Sequence, residues 1–166
     1  MKDVHAHNAL MNLCAFSKSD RIVEMAQLLI EKGVDIRSRD IDQGENALML
    51  LCRFSKSDRI VEMAKLLVEN GIDVNETNED GNNALMLLCS SSKSEHIVQV
   101  IELLIAKGIN VKQRNKQGKN AVDLLKGPSS IFATLFAADD TIRPKKPQIF
   151  ELLIKATNNY TFDWFQ

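Results

Sequence analysis

The chain has 166 residues, of which 45% are hydrophobic and 26% are charged, and its formal net charge is −1. This length and apolar content suit one soluble, well-packed domain. The near-neutral charge excludes the basic field of a protein that binds nucleic acid or a membrane surface, and no apolar run approaches the roughly 18 residues of a membrane span.

The strongest signal is an internal repeat. The stretch from Phe16 to Leu29 returns from Phe54 to Leu67 with one change, Gln27 to Lys65, and a looser third copy begins at residue 92. Three cysteines and three glycines keep the same phase, at intervals of 38 and then 37 residues: Cys14, Cys52 and Cys89, with Gly33, Gly71 and Gly108. A fixed period of this size predicts stacked units that bury their apolar faces against their neighbours.

One unit shows the expected local structure. Asn46 follows a turn glycine and is placed to cap a first helix over residues 47–52, an apolar run that should be buried nearly all round. Residues 55–58, Ser-Lys-Ser-Asp, break this run and offer caps for a second helix, which is amphipathic. Gly71 is expected to end that helix in a left-handed conformation. Residues 72–75 alternate apolar and polar and predict a short extended finger.

These phrases recur together in phase and resemble the ankyrin repeat. The best matches are Gly81-Asn82-Asn83-Ala84-Leu85 at the start of a unit and Leu-Leu-Val-Glu-Asn-Gly-Ile-Asp-Val-Asn over residues 66–75 at its end. The resemblance covers about residues 1–126 and resumes at 151–154. It implies an all-α fold, an α-solenoid of helix-loop-helix units joined by short extended fingers, within a single domain over residues 1–166.

The chain departs from the family pattern in two respects. Asn-Ala-Leu-Met stands where the family usually has Thr-Pro-Leu-His, and the methionine predicts more apolar packing between units. The period is also four or five residues longer than the family's usual length of about 33. The surplus falls over residues 54–61, and it predicts either one extra turn on the second helix or a longer loop between the helices.

We expect four units, at about residues 1–41, 42–79, 80–116 and 117–166. The last unit carries an insertion over about 127–147, because its prolines forbid an uninterrupted helix. A short extra helix is predicted at 131–138 inside the insertion, and the second helix of the unit at about 147–156. An aromatic tail follows at 160–165.

The sequence predicts no enzyme, no metal site and no cofactor. In-phase cysteines should lie about 10 Å apart, the spacing of packed helices, whereas zinc requires sulfurs within about 4 Å of one another. We therefore expect core thiols. Their odd number indicates reduced thiols, and the start of the chain, MKDVHAH, lacks the apolar segment of a signal peptide, so we expect a cytoplasmic protein. The histidines form no metal-binding pair, and the single glycines form no phosphate loop.

The resemblance implies that the function is to bind another protein through the finger tips and the concave face. The tips are basic, then acidic, then basic, while the helices between them repeat. A solenoid that varies at its exposed tips can encode partner choice. The candidate partner-binding residues are Arg37, Arg39, Asp42, Glu76, Asn78, Glu79, Lys112, Arg114 and Lys116. Neither nucleic acid nor membrane is expected as a partner, and we expect a monomer, with end-to-end self-association left open.

Several alternatives stay open. The tips are also compatible with solvated turns of mixed charge. Lys18, Lys56 and Lys93 form a second candidate surface, an anion-binding stripe on the ridge opposite the fingers. The phrase Gly-x-Asn-Ala-Leu also resembles a repeat in an ankyrin domain that binds a phosphorylated oligonucleotide, so a ligand or nucleotide sensor is a further alternative. A structural role, with end units stacking on another copy, is the last.

Overall fold

The structure, a computed structural model, describes residues 7–54, 58–91, 96–125 and 146–157. These ranges contain eight helices and no β-strand: α1 (Ala9–Phe16), α2 (Ile22–Glu31), α3 (Ala47–Phe54), α4 (Ile60–Glu69), α5 (Ala84–Ser91), α6 (Ile97–Ala106), α7 (Ala121–Leu125) and α8 (Lys146–Thr157). An isolated antiparallel bridge joins Arg39 to Asn46. The predicted all-α fold is confirmed.

The helices form two layers. The first helices pack in the order α1, α3, α5 and α7, and the second helices pack in the order α2, α4, α6 and α8. Contacts between α1 and α2, α3 and α4, α5 and α6, and α7 and α8 join the two layers. Each helix pair makes its main contacts with the neighbouring helix pairs, which is the contact pattern of a solenoid.

The first helices are the centre of the core. Every residue from Ala47 to Cys52 in α3 is at most 1% exposed, so this helix is buried nearly all round, as predicted. Three methionines stand where the family has histidine. They are Met11, Met49 and Met86, and each is at most 1% exposed. All three belong to the hydrophobic core, which is in line with the predicted apolar packing.

The second helices are amphipathic, and a basic residue or a histidine stands at the N-cap of α2, α4 and α6. In α4, Ile60, Ala64 and Leu67 face the core and are 0% exposed. The N-cap is Arg59, whose side chain makes no capping hydrogen bond, and three of the four predicted capping residues, 55–57, lie outside the described residues. The helix starts at its first buried residue, Ile60.

The surplus of the period lies in the loop between the helices. In the first unit, residues 17–21 separate α1 from α2, and α2 itself spans 10 residues. Ser19 stabilises this loop, since its Oγ accepts a hydrogen bond from the N–H of Arg21 at 3.2 Å. The longer loop, rather than an extra helical turn, accounts for these residues.

The fingers begin as predicted but do not stay extended. Gly71 ends α4 with φ +87°, a left-handed conformation. Ile72 and Val74 are then buried while Asp73 and Asn75 are exposed, which confirms the alternation. However, the N–H of Asn75 donates to Asp73 Oδ1 at 2.8 Å and closes a turn. The extended conformation predicted for residues 72–75 is thus interrupted by a turn at Val74 and Asn75.

Parts of the last unit lie outside the described residues. These are the helix predicted at 131–138, the tail at 160–165 and nearly all of the insertion at 127–147. The second helix predicted at about 147–156 is present as α8, which starts one residue earlier. Pro147 thus lies in the first turn, where its missing N–H costs no helical hydrogen bond.

The burial pattern predicts which leucines carry the stability. Leu67 is 0% exposed, so Leu67→Ala should lower the free energy of unfolding by roughly 2–5 kcal/mol. Urea denaturation followed by circular dichroism measures this loss. Leu28→Ala in α2 is the control, because Leu28 is 54% exposed and its truncation should cost within about 0.5 kcal/mol. Equal losses in the two variants would contradict the helix phase.

Candidate partner-binding surface

An asparagine at the start of α1, α3 and α5 holds both the helix and the finger of its unit. Its Oδ1 accepts the N–H of the residue three positions later, at 2.9–3.0 Å, in Asn8, Asn46 and Asn83. Its Nδ2 donates to the beginning of the finger that follows the second helix: to the Asp35 carbonyl at 2.8 Å, to Glu76 Oε2 at 2.7 Å and to the Asn110 carbonyl at 3.1 Å. The predicted capping role of these asparagines is confirmed. Each asparagine side chain also donates a hydrogen bond to the finger of its unit.

A buried polar residue organises each finger tip, and we call these three residues the finger anchors: Asp40, Asn78 and Asn115. Their exposed fractions are 5–8%. The Oδ1 of Asp40 accepts the backbone N–H groups of residues 42, 43 and 44 at 2.7–3.1 Å. The Oδ1 of Asn78 and of Asn115 each accepts two tip N–H groups at 2.9–3.1 Å. In all three fingers, therefore, the tip backbone closes on the side chain of its anchor.

Each anchor also contacts the residue that precedes the cap of its own unit. The chemistry of this pair changes from unit to unit: His7 Nε2 lies 3.8 Å from Asp40 Oδ2, Asn78 Nδ2 donates to Glu45 Oε1 at 3.1 Å, and Asn115 Nδ2 donates to Asn82 Oδ1 at 2.9 Å. The spacing is 33 residues in every case. The position of this pair is thus the same in all three units, although the types of side chain that form it differ.

Backbone hydrogen bonds join each finger to the next. The N–H of Glu79 donates to the Gln43 carbonyl at 2.8 Å, and the N–H of Lys116 donates to the Asp80 carbonyl at 2.9 Å. Lower in the fingers, Asn75 Oδ1 accepts the N–H of residue 110 at 2.7 Å. The three fingers consequently form one hydrogen-bonded row.

The first finger tip is one residue longer than the others. Each cap asparagine precedes its anchor by 32 residues, but the first anchor precedes the next cap by six residues and the second by five. This single residue explains why the sequence period is 38 and then 37. The longer tip includes Ile41, which is 66% exposed.

Most of the predicted site residues lie on the exposed side of this row. Seven are exposed: Arg37, Arg39, Asp42, Glu79, Lys112, Arg114 and Lys116. Glu76 is partly buried and accepts the hydrogen bond from Asn46 described above. Asn78 is 5% exposed, so its prediction as an exposed tip residue is wrong. It is a finger anchor, because its amide is needed inside the turn.

Two of the exposed arginines brace the tips. Arg39 Nε donates to the Gly44 carbonyl at 2.7 Å, and Arg39 Nη2 donates to the Thr77 carbonyl of the next finger. Arg114 Nη1 donates to the Gly118 carbonyl at 2.6 Å. The side chains of Arg37, Lys112 and Lys116 make no hydrogen bond or ion pair with any other residue that the structure describes. These three cations are therefore the better candidates for direct recognition.

Sequence reasoning missed an aromatic pair beside the fingers. Phe16 and Phe54 end α1 and α3, are 62% and 43% exposed, and stack with ring centroids 6.2 Å apart. The Arg53 guanidinium lies 5.2 Å from the Phe54 centroid, and its Nη1 donates at 2.6 Å to Glu45, the carboxylate that also holds an anchor. The sequence did carry a signal for this pair. The last residue of the first helix is phenylalanine in two units, and it is Ser91 in the third.

The cysteines are inert core thiols. Cys14, Cys52 and Cys89 are free and 0% exposed. Burial raises the pKa of Cys89 to about 12 and raises the pKa of the other two thiols as well. Within the described ranges, no group of three or more His, Cys, Asp or Glu side chains is arranged to hold a metal ion.

Comparison with known families agrees with the geometry. The family model described as ankyrin repeats (3 copies) matches residues 2–78 and 56–146. Comparison with curated proteins gives no match. No helix in the described part of the chain is long and apolar enough to cross a membrane.

The anchors should matter for stability more than the tips do. Asn78→Ala removes the acceptor of two tip N–H groups and the donor to Glu45, so we expect a loss of roughly 1–3 kcal/mol in the free energy of unfolding. Chemical denaturation measures it. Glu79→Ala, one position along on the exposed tip, is the control and should stay within about 0.5 kcal/mol. An Asn78→Ala variant as stable as its control would show that the anchor is dispensable.

The thiols should react only when the chain unfolds. Because the thiolate is the nucleophile and burial raises the pKa of all three thiols, a thiol reagent should label Cys14, Cys52 and Cys89 slowly in the native protein. In denaturant the same reagent should label all three quickly. Mass spectrometry after timed quenching resolves the sites. Fast native labelling would place the thiols at the surface and overturn the register of the first helices.

Proposed function

Because the chain belongs to the ankyrin repeat family, we propose that it is a non-catalytic binding module whose fingers and first helices recognise another protein. Ankyrin repeats are generally protein–protein interaction modules and typically do not catalyse reactions. The proposal goes further, because it assigns recognition to named residues. The observation that carries it is that a buried anchor holds every finger tip while the exposed side chains differ from tip to tip.

The constant part of the surface favours rigid recognition. The anchors hold each tip, and hydrogen bonds of 2.8–2.9 Å join the Gln43, Glu79, Asp80 and Lys116 backbones across the row. A surface that is already ordered loses little conformational freedom when a partner binds, so more of the contact energy remains as affinity.

The variable part of the surface favours a partner with alternating charge. Arg37 gives the first finger a cation that pairs with no described residue, Glu79 and Asp80 make the second finger acidic, and Lys112 and Lys116 make the third basic. Successive units of packed helices lie about 10 Å apart. A complementary partner therefore presents acidic, basic and acidic groups at about that spacing, and such complementarity governs specificity and association rate.

We also place this function in a reducing compartment and without a cofactor. All three cysteines are free and buried, which suits a cytoplasmic protein. The proposal needs no cofactor, because recognition by charge and shape requires none.

A charge reversal on the fingers tests the proposal. Arg37→Glu combined with Lys112→Glu should abolish capture of the partner from extracts of the native cell, measured by quantitative mass spectrometry of pull-downs. Thermal stability should hardly change, because exposed substitutions stay within about 0.5 kcal/mol each. Arg39 and Arg114 are left unchanged, since their guanidinium groups brace the tips.

The matched control reverses the same number of charges on the second-helix side. Lys18 and Lys65 are exposed there, and Lys18→Glu with Lys65→Glu changes the net charge by the same amount. This variant should retain capture. If it loses the partner and the finger variant keeps it, the binding surface is the ridge and the proposal fails.

A further inference from the structure

Two phenylalanine rings form an exposed apolar patch beside the fingers. Phe16 ends α1 and is 62% exposed, and Phe54 ends α3 and is 43% exposed. Their ring centroids are 6.2 Å apart, and the ring planes are inclined by 28°. A single exposed apolar side chain is ordinary, whereas neighbouring exposed apolar side chains mark a surface that binds something.

The fold does not require these rings. In the third unit the last residue of the first helix is Ser91, which is exposed, and α5 has the same length of 8 residues as α1 and α3. Ser90 stands in α5 at the position that Arg53 occupies in α3. A first helix therefore forms without an aromatic ring or a guanidinium at its end, and the side chains of the first two units are available for recognition.

A histidine connects the first ring to the first finger. The His7 ring stacks on Phe16 with centroids 6.2 Å apart, and its Nε2 lies 3.8 Å from Oδ2 of the anchor Asp40. His7 is only 6% exposed, so it supports Phe16 from the protein side. A single buried side chain thus separates the exposed ring from the anchor of the first finger.

An ion pair connects the second ring to the second finger. The Arg53 guanidinium lies 5.2 Å from the Phe54 centroid, and its Nη1 donates at 2.6 Å to Glu45 Oε1. The same oxygen accepts a hydrogen bond from the anchor Asn78. The Glu45 side chain is 1% exposed and the Arg53 side chain is 34% exposed. The surface therefore presents the cation, while the carboxylate that balances it lies beneath.

The guanidinium is held in place and keeps donors for a ligand. Among the residues that the structure describes, Arg53 donates a hydrogen bond only to Glu45, and it does so through Nη1. Its Nε and Nη2 groups remain for a second acceptor. A planar guanidinium that is fixed on an aromatic ring and at one nitrogen loses little freedom when a carboxylate binds its other N–H groups.

We propose that Phe16, Phe54 and Arg53 form a recognition subsite for an aromatic side chain of the partner that has a carboxylate close to it in the partner's sequence. We call these three residues the aromatic subsite. The partner's ring packs across the two phenylalanines, and its carboxylate accepts hydrogen bonds from Arg53. Aromatic side chains and arginine are the groups that most often dominate binding energy at interfaces. The inference rests on the proposed function, because it specifies the partner's chemistry at the same surface.

The spacing within the aromatic subsite determines the partner's motif. The Arg53 guanidinium lies 5.2 Å from the Phe54 centroid, and an extended chain advances about 3.5 Å per residue. An acidic residue next to the aromatic residue, or two positions from it, therefore reaches the guanidinium while the ring packs on the phenylalanines. A basic residue at that position would meet a like charge.

Selection from a phage-displayed library of random short peptides tests this inference. The wild-type chain should enrich peptides in which Phe, Tyr or Trp stands within two positions of Asp or Glu. In fluorescence anisotropy, the variant Phe16→Ser with Phe54→Ser should bind these peptides about thirtyfold more weakly, the loss expected for aromatic hot spots. Thermal melting checks the fold, which should persist because α5 carries serine at this position. If the double variant melts early, Phe16→Ser alone serves, since Phe16 is the more exposed ring.

The matched control removes two exposed apolar side chains from the second-helix side. Met25 and Leu28 in α2 are 47% and 54% exposed, and Met25→Ser with Leu28→Ser should bind the peptides as the wild-type chain does. The carboxylate is tested on the peptide, because loss of Arg53 would leave Glu45 buried without its counter-ion. Changing the peptide's Asp to Asn, or its Glu to Gln, should weaken binding about fivefold.

Three results would overturn the aromatic subsite: enriched peptides that lack an aromatic residue, equal binding to the aromatic variant and the wild-type chain, or no enriched peptide at all. Undiminished binding of the Asn or Gln peptides would overturn the role of Arg53. The proposed function would survive these results, because Arg37→Glu with Lys112→Glu tests it separately against the partner from the native cell. A finger variant that keeps the partner would refute the proposed function even where the peptides bind as expected.

Discussion

The amide side chain at the start of each first helix is the contact on which the rest of the solenoid depends. A helix buried as completely as α3 has no water to satisfy the N–H groups of its first turn, so the protein must supply an acceptor. Asn46 supplies it with Oδ1 and uses Nδ2 to hold the finger that returns from the second helix. One residue thereby satisfies a buried helix end and sets the distance between helix pair and finger.

The finger anchors extend this arrangement to the exposed edge. They bind tip N–H groups in three units although the contacting pairs differ: histidine with aspartate, glutamate with asparagine, and asparagine with asparagine. The backbone is therefore determined by buried polar bonds rather than by the tip side chains. Exposed charges that brace no tip, such as Arg37 and Lys112, are free to change without loss of structure, and a binding surface needs that freedom.

Repetition also creates surfaces at the end of the stack. Helix α2 carries the same apolar and basic residues as α4, but no described helix lies on its N-terminal side. In the first unit, α1 carries the polar residue Asn12 at the position where the next two units have leucine. Met25 and Leu28 are left exposed at positions whose counterparts in the next two units are buried or partly buried.

The sequence by itself determined the helix pairs, the capping asparagines, the left-handed glycines and the alternating burial at Ile72 and Val74, because each depends on residues close together in the chain. It did not reveal that Asn78 is an anchor rather than a tip, since the partner at Glu45 lies 33 residues away. Nor did it distinguish the braced Arg39 from the unbraced Arg37. The clearest case is methionine: Met25 and Met63 stand in the same local sequence, yet one is 47% exposed and the other 0%. Only the presence or absence of a neighbouring helix decides between those two environments, and that is a property of the tertiary structure.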